Sequence, residues 1–147
     1  MDYLQKLIIV NSEKKSKEFA ERLATKINVG DVIAFKGDLG AGKSFFCRTI
    51  IKYLCGSNIK VTSPTFNLLQ TYKAPNFIIY HYDLYRIEHS SELYELGFEE
   101  AFSDNVTLIE WPQIAYDLLP KNTIFVEIEI VNTKARKIFF SYSKSLT

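Results

Sequence analysis

Residues 37–44 carry the residue types that bind a chain of phosphates. Their sequence, Gly-Asp-Leu-Gly-Ala-Gly-Lys-Ser, satisfies the pattern G-x-x-x-x-G-K-[ST]. The glycines let backbone N–H groups turn inward around phosphate oxygens, Lys43 supplies a mobile positive charge, and the Ser44 hydroxyl is a hard oxygen ligand for Mg²⁺. A nucleotide with Mg²⁺ is the expected ligand, and its predicted contacts are Gly37, Asp38, Leu39, Gly40, Ala41, Gly42, Lys43, Ser44 and Phe45.

Two acidic residues directly follow apolar stretches that predict buried strands. Glu110 comes after residues 106–109, and Asp83 comes after residues 77–82. Ligands of open α/β sheets bind beyond the carboxyl ends of the strands, so both acids should face the phosphate loop. Either could hold the hydration shell of Mg²⁺ or orient an attacking water, and the sequence does not rank them. The alternative is a turn at Asp83 and a solvated pair or cap at Glu110.

Three weaker candidates are also present. Thr65 lies among hydroxyl residues around Pro64 and could sense a terminal phosphate as part of a switch, although such a stretch is usually a turn. His81 is expected to belong to the sheet, because no second histidine or cysteine stands at metal-ligand spacing, and His89 is expected to be solvated. The numerous Tyr and Phe residues fall mainly in predicted strands, where aromatic side chains pack well as core.

The order of the predicted elements is that of an α/β fold. Residues 4–10 predict a strand, and Ser12 is placed to cap an amphipathic helix that includes Phe19, Leu23 and Ile27. Residues 32–35 form the unbroken apolar run of a central parallel strand. The next helix should run from Lys43 to about Leu54 and end at Gly56, so that strand, glycine loop and helix follow in the required order.

Shorter elements are predicted in the second half of the chain. A helix capped by Ser90 or Ser91 should extend to Leu96, and Pro112 should open another helix. The remaining strands are predicted at residues 61–63, 66–72, 77–82, 106–109, 123–131 and 137–142. The expected fold is therefore a P-loop NTPase with a central, mostly parallel sheet flanked by helices and a C-terminal antiparallel hairpin.

Length and composition describe an ordinary single domain, residues 1–147. The chain is 47% hydrophobic and 24% charged with a net charge of +1, so it lacks the strong basic character of a nucleic-acid binder. No apolar run approaches membrane-spanning length. Cys47 and Cys55 would lie roughly 12 Å apart on one helix, beyond disulfide reach. These features favour the reducing cytoplasm.

The sequence leaves alternatives for which base is bound and for what happens to the terminal phosphate. No Asn-Lys-x-Asp sequence is present to read guanine, so ATP or ADP is favoured over a guanine nucleotide. A small P-loop kinase could share residues 37–44, but an acceptor pocket and an arginine-rich lid are not evident. A module that binds ATP without hydrolysing it also remains open.

Five blocks taken together resemble the TsaE family, and in order and spacing they span most of the chain. They are residues 37–44, 63–66, 81–86, 95–97 and 108–112. The resemblance implies an ATPase that supports the bacterial machinery placing threonylcarbamoyl on adenosine 37 of ANN-decoding tRNAs. The implied partners are the threonylcarbamoyl transferase subunit and its dimerisation partner, with the tRNA contacted through them.

The resemblance also implies roles for individual residues. Ser44, Asp83 and Glu110 would form the magnesium site, and Lys43, Asp83 and Glu110 the catalytic set. Thr65 would belong to a switch segment and Trp111 would neighbour the site, while Ser12 and Arg136 would contact the edge of the nucleotide. The family usually has Thr where Ser44 stands, which retains the hydroxyl. Most P-loop hydrolases have Asp where Glu110 stands.

Overall fold

The computed structural model describes residues 3–64 and 66–143, which form one mixed sheet with helices on both faces. The strands are β1 (Tyr3–Val10), β2 (Val32–Lys36), β3 (Leu69–Lys73), β4 (Ile78–Asp83), β5 (Val106–Glu110), β6 (Ile124–Ile130) and β7 (Arg136–Ser143). The α-helices are α1 (Glu13–Thr25), α2 (Lys43–Cys55) and α3 (Phe98–Ala101), and 3₁₀ helices occupy Ser90–Glu95 and Pro112–Leu118.

The strand order is β1-β7-β6-β2-β5-β4-β3. The centre of the sheet is parallel, since β2 lies between β5 and β6 and β4 lies on the far side of β5. Antiparallel pairs complete both edges, with β3 on β4 at one side and the β6–β7 hairpin followed by β1 at the other. The predicted fold class, including the C-terminal hairpin, is confirmed. The carboxyl ends of β2, β4 and β5 meet at one edge.

The central strand β2 is buried on both faces, as its unbroken apolar sequence predicts. Phe35 belongs to the core cluster that includes Phe19 of α1 and Phe46 of α2. Val32 belongs to the opposite cluster, which includes Phe98 of α3. Packing on both faces fixes the sheet as a rigid support for the loop that follows β2.

Helix α1 begins as its cap residue predicts. The Ser12 side chain accepts a hydrogen bond from the backbone N–H of Lys15 at 3.1 Å, which satisfies one of the unpaired donors of the first turn. After α1 the chain turns at Gly30, whose φ is +94°, into β2. The Asp31 carboxylate holds this turn by accepting the N–H of Asn28 at 2.8 Å.

The predicted strand at residues 61–63 is wrong, and β3 begins later than predicted. The backbone N–H and carbonyl of Thr62 are both hydrogen-bonded to the Tyr72 hydroxyl, each at 3.2 Å, so a side chain takes the place of a neighbouring strand. Leu68 has a φ of +65°, and its N–H donates to the carbonyl of Pro64 at 2.6 Å. This turn delays extended backbone until Leu69.

The structure also bears on the predictions for the short helices, the cysteines and membrane-spanning segments. The helix predicted after Ser90 or Ser91 is a 3₁₀ helix with His89 at its N-cap position, and the one opened by Pro112 is also 3₁₀. Cys47 and Cys55 are both free thiols, as their spacing predicts. Within residues 3–64 and 66–143, no helix is long and apolar enough to cross a membrane.

Candidate nucleotide and magnesium site

The glycine loop joins the carboxyl end of β2 to the first turn of α2. Gly37 has a φ of +153°, and a Cβ added there would lie 2.6 Å from the carbonyl oxygen of Ile128. Gly42 has a φ of +118° and occupies the N-cap position of α2, without a side-chain cap among the described residues. The backbone N–H groups at the start of α2 are therefore free of side-chain competition for an anion.

Lys43 is drawn into the loop rather than extended into solvent. Its side chain is 5% exposed, and Nζ donates to the carbonyls of Gly37 at 2.6 Å and Asp38 at 2.9 Å. Nζ also lies 4.0 Å from the ring centroid of Trp111, a cation–π contact. Burial lowers the pKa of the Lys43 ammonium, and the negative charges of Glu110 and Asp83 oppose that shift. A charged donor is thus held at the mouth of the loop.

Asp83 and Glu110 lie side by side at the carboxyl ends of β4 and β5, where their positions pair in the parallel register. Both are buried, and Glu110 is only 2% exposed, so the solvated alternative for Glu110 is wrong. Glu110 Oε1 accepts a hydrogen bond from Ser44 Oγ at 2.8 Å. Asp83 Oδ1 accepts the backbone N–H of Tyr85 at 3.0 Å, which forms the turn that the sequence left as its alternative.

These oxygens fit a magnesium ion by their chemistry. Mg²⁺ prefers hard oxygen ligands, and proteins commonly supply one or two carboxylates beside the phosphates of the substrate. The Ser44 hydroxyl and the Glu110 carboxylate are already within 2.8 Å of each other, and Asp83 is adjacent on the next strand. The residues predicted for metal binding are thus brought to one place by α2, β4 and β5.

Two residues beside this site were not predicted to belong to it: His81, which lies in the sheet as expected, and Cys47. His81 Nε2 lies 2.7 Å from Glu110 Oε2, and the potential ligand atoms of Cys47, His81 and Glu110 all lie within 4.8 Å of one another. Linear spacing could not reveal this, because α2 brings Cys47 over β4 and β5. Burial, reinforced by Glu110 and Asp83, raises the pKa of the Cys47 thiol well above its ordinary range. Cys47 is fully buried and packs in the core cluster between the sheet and the helices α1 and α2.

Trp111 follows Glu110 in an unusual backbone conformation. Its φ of +55° and ψ of +60° place a bulky residue in the left-handed region, which is costly and is often found at functional sites. This turn brings the indole against Lys43, and the Tyr85 ring lies 4.8 Å from it between centroids. Trp111 was expected near the site, whereas its backbone conformation and its contact with Tyr85 were not.

A cleft of about 630 Å³ adjoins the glycine loop, on the side formed by the start of α1 and the turn before β7. This volume is typical of a small-molecule pocket. Ser12 and Arg136, the two nucleotide-edge candidates, both line it, and Arg136 Nε donates to the carbonyl of Ala41 at 2.9 Å. The lining residues are Ser12, Glu13, Lys14, Ser16, Ala41, Gly42, Phe45, Phe46, Thr133, Lys134 and Arg136.

The remaining candidate residues lie at the tip of the glycine loop or away from the magnesium site. Asp38, Leu39 and Gly40 form the exposed tip of the loop, where Leu39 is 67% exposed. Thr65 lies outside the described residues, and its switch role stays a prediction. His89 is exposed, as expected.

A strand, a glycine loop and a helix on a sheet with a parallel centre, with two carboxylates at the adjacent strand ends, define the fold of a P-loop NTPase. Residues 10–138 match the model of the family described as threonylcarbamoyl adenosine biosynthesis protein TsaE. The chain belongs to the TsaE family.

Relatives support this assignment along most of the chain. The tRNA threonylcarbamoyladenosine biosynthesis protein TsaE of Rickettsia conorii is 54% identical over 127 residues, which are 86% of this chain and 73% of that protein. The protein of the same name from Bacillus subtilis is 35% identical over 133 residues, 90% of this chain and 82% of that one. The crystal structure of Bacillus subtilis YdiB superposes with a TM-score of 0.78 at 25% identity, covering 99% of this chain and 90% of that one.

Proposed function

We propose that this protein binds and hydrolyses ATP with Mg²⁺ as a component of the cytoplasmic machinery that makes threonylcarbamoyladenosine in tRNA. The observation that carries the proposal is the contact between Ser44 at the start of α2 and the buried Glu110 at the end of β5. It joins the glycine loop to the strand-end acids in a chain whose family is named for that modification.

In the binding step, the phosphates would lie in the glycine loop and the nucleoside in the adjoining cleft. Free N–H groups at the α2 terminus and the Lys43 ammonium provide complementary charge for the phosphates. Lys43 would exchange its bonds to the Gly37 and Asp38 carbonyls for phosphate oxygens. Phe45 and Arg136 line a cleft large enough for a nucleoside beside the loop.

In the hydrolytic step, the two acids would hold Mg²⁺ and orient the attacking water. Phosphoryl transfer involves little covalent chemistry by the protein and depends on orientation and electrostatic stabilisation. Bound Mg²⁺ would neutralise charge on the phosphates, held by Ser44 and Glu110. Asp83 on the neighbouring strand would share that task or orient the attacking water.

The proposed partners are the threonylcarbamoyl transferase subunit and its dimerisation partner. The names of the relatives place those proteins in tRNA threonylcarbamoyladenosine biosynthesis, which supports the pathway for this chain. A net charge of +1 favours contact with tRNA through those partners over direct binding. ATP turnover would then drive cycling of the transferase complex rather than the transfer itself.

Product analysis tests the reaction. Purified protein is incubated with ATP labelled on its terminal phosphate and Mg²⁺, with and without the two proposed partners, and the label is followed by chromatography. ADP with free phosphate, abolished in Lys43→Ala, is the expected result. Label on an acceptor would indicate a kinase instead, and intact ATP in every mixture would indicate a non-hydrolysing module.

A further inference from the structure

The Glu110 carboxylate is held at both of its oxygens by side chains with different access to solvent. Oε1 accepts from Ser44 Oγ at 2.8 Å, and Oε2 lies 2.7 Å from His81 Nε2. Ser44 is exposed, whereas His81 is 1% exposed and lies within the sheet on β4. The Ser44 hydrogen bond can therefore be exchanged for a ligand, and the His81 hydrogen bond is internal to the fold.

We propose that His81 is a positioning residue that fixes the Glu110 carboxylate for magnesium binding. This inference rests on the proposed function and deepens it. A glutamate has several freely rotating bonds, and holding it in one orientation before the ligand arrives removes part of the cost of assembling the site. Loss of a residue that orients a metal ligand commonly lowers the metal affinity by about 10- to 100-fold.

Lys43 explains why Glu110 requires such an anchor. Among the charges acting on the Lys43 ammonium, Glu110 has the largest effect. A carboxylate released from His81 could turn toward that ammonium and form an ion pair, which would draw both groups away from metal and phosphate. The His81 hydrogen bond keeps Oε2 on the β4 side while Oε1 stays beside Ser44.

The chemistry of the hydrogen bond identifies a rescue variant. A carboxylate only accepts, so His81 Nε2 is the donor. His81 Nδ1 is buried and has no hydrogen-bond partner among residues 3–64 and 66–143, so a substitute needs to reproduce only the Nε2 donor. The amide nitrogen of a glutamine lies at about the same distance along the side chain. His81→Gln should therefore retain the function, and His81→Leu should lose it.

The test measures magnesium binding rather than turnover. ADP is bound to the protein in the presence of a chelator, and Mg²⁺ is then titrated while the fluorescence of Trp111, the single tryptophan of the sequence, is followed. Calorimetric titration gives the ADP affinity separately with and without Mg²⁺. We expect His81→Leu to weaken the apparent magnesium affinity by about 10- to 100-fold, with a smaller loss of metal-free ADP affinity, and His81→Gln to stay close to the original protein.

A matched control separates positioning from general damage to the sheet. Thr107→Val removes a buried hydrogen bond on β5, from Thr107 Oγ1 to the carbonyl of Ala101 at 3.1 Å. This variant should leave magnesium affinity unchanged, and thermal unfolding of all variants reports any loss of fold. An unchanged magnesium midpoint in folded His81→Leu would overturn the proposal, as would equal losses in Leu and Gln variants. Failure of the original protein to bind ADP at all would instead reject the proposed function.

Discussion

The charged side chains Lys43 and Glu110 are each held by neighbouring groups in the described conformation. Lys43 donates to two loop carbonyls and contacts the Trp111 ring, while Ser44 and His81 hold the Glu110 carboxylate. The Lys43 and Glu110 side chains are therefore already buried and oriented, so that ligand binding would exchange their contacts rather than order flexible chains. Substitution of a single residue should therefore change ligand binding through the contacts of that residue alone.

Lys43→Ala should weaken ATP and ADP binding by roughly 10- to 100-fold. The substitution removes a charged hydrogen-bond donor worth about 1.5–3 kcal/mol and leaves the backbone of α2 intact. Calorimetric titration provides the measurement. Lys36→Ala is the matched control, because Lys36 lies at the end of β2, just before the glycine loop, with its ammonium 5.7 Å from the centroid of the Tyr116 ring. A folded Lys43→Ala protein with unchanged affinity would remove Lys43 from the site.

Asp83→Asn and Glu110→Gln should reduce ATP turnover more than ATP affinity. Both changes preserve size but remove a negative charge that matters most as charge redistributes in the transition state, so we expect roughly 10²-fold lower kcat. Steady-state phosphate release at saturating Mg²⁺ is compared with nucleotide affinity. Glu127→Gln, at an exposed position of β6, is the control. Normal turnover in both site variants would require another carboxylate to act in their place.

Residue patterns identified the two acids but not the histidine that anchors one of them. Asp83 and Glu110 follow apolar strands, and the carboxyl ends of parallel strands meet at one edge. The partnership of His81 with Glu110 depends on the register of β4 against β5 and on side-chain direction within the sheet. An isolated histidine in an apolar strand carries no sign of that contact.

At the scale of elements, the loop depends on close approach between Gly37 and β6. Gly37→Ala should destabilise the protein by roughly 1–3 kcal/mol more than Gly30→Ala, since overpacking adds to backbone strain. Both glycines have positive φ, but an added Cβ meets the Ile128 carbonyl oxygen at 2.6 Å only at Gly37, and nothing within 4 Å at Gly30. Urea unfolding of both variants measures the difference. Equal losses would show that the loop moves aside without cost.

The turn between α1 and β2 should make stability depend on pH. Burial raises the pKa of the Asp31 carboxyl above its ordinary 3.8, against the opposing hydrogen bond from Asn28. Asp31 therefore favours folding most at pH below 3.8, and this contribution is lost as pH rises through the raised pKa. Asp31→Asn keeps an acceptor for Asn28 and does not ionise.

The free energy of unfolding of Asp31→Asn should therefore increase relative to that of the original protein as pH rises from about 3 to 7. The increase equals the free energy that ionisation of Asp31 costs the folded protein. Urea unfolding of both proteins across this range gives the difference at each pH. Asn28 and the N–H that it donates remain in both proteins, so the comparison isolates the charge. A difference that stays constant with pH would contradict the assignment.

Element types followed from local sequence more readily than their exact bounds. The apolar run of β2 and the Ser12 cap of α1 are local signals, and both are confirmed. The strand predicted at residues 61–63 is wrong because its backbone partner is the Tyr72 hydroxyl, ten residues away. Such a contact depends on the tertiary structure around β3, so short extended segments cannot be assigned from propensity alone.

At the scale of the whole molecule, the sheet gathers distant segments around one loop. The cleft beside the loop combines the start of α1 with the turn before β7, which stand at opposite ends of the sequence and meet through the pairing of β1 with β7. Hydrophobic periodicity predicted these strands but not their order in the sheet. Ser12 and Arg136, which the resemblance predicts to contact the edge of the nucleotide, both line this cleft.

Two arginines that could assist hydrolysis, Arg86 and Arg48, each lie against an aromatic ring in this conformation. The guanidinium of Arg86 lies 4.4 Å from the ring centroid of the exposed Phe66, and that of Arg48 lies 5.9 Å from Phe45. P-loop enzymes can receive an arginine from a partner, which accelerates hydrolysis by roughly 10³- to 10⁵-fold. We therefore expect slow ATP hydrolysis by the isolated protein and strong stimulation by its partners.

Steady-state phosphate release by the protein alone, by the transferase subunit with its dimerisation partner, and by the mixture tests the central claim most directly. Lys43→Ala in the mixture assigns the activity to this chain. The account predicts slow release by the protein alone, and release in the mixture that exceeds the sum of the separate rates by at least about tenfold and disappears with Lys43→Ala. Release in the mixture that equals that sum, or that persists with Lys43→Ala, would contradict it.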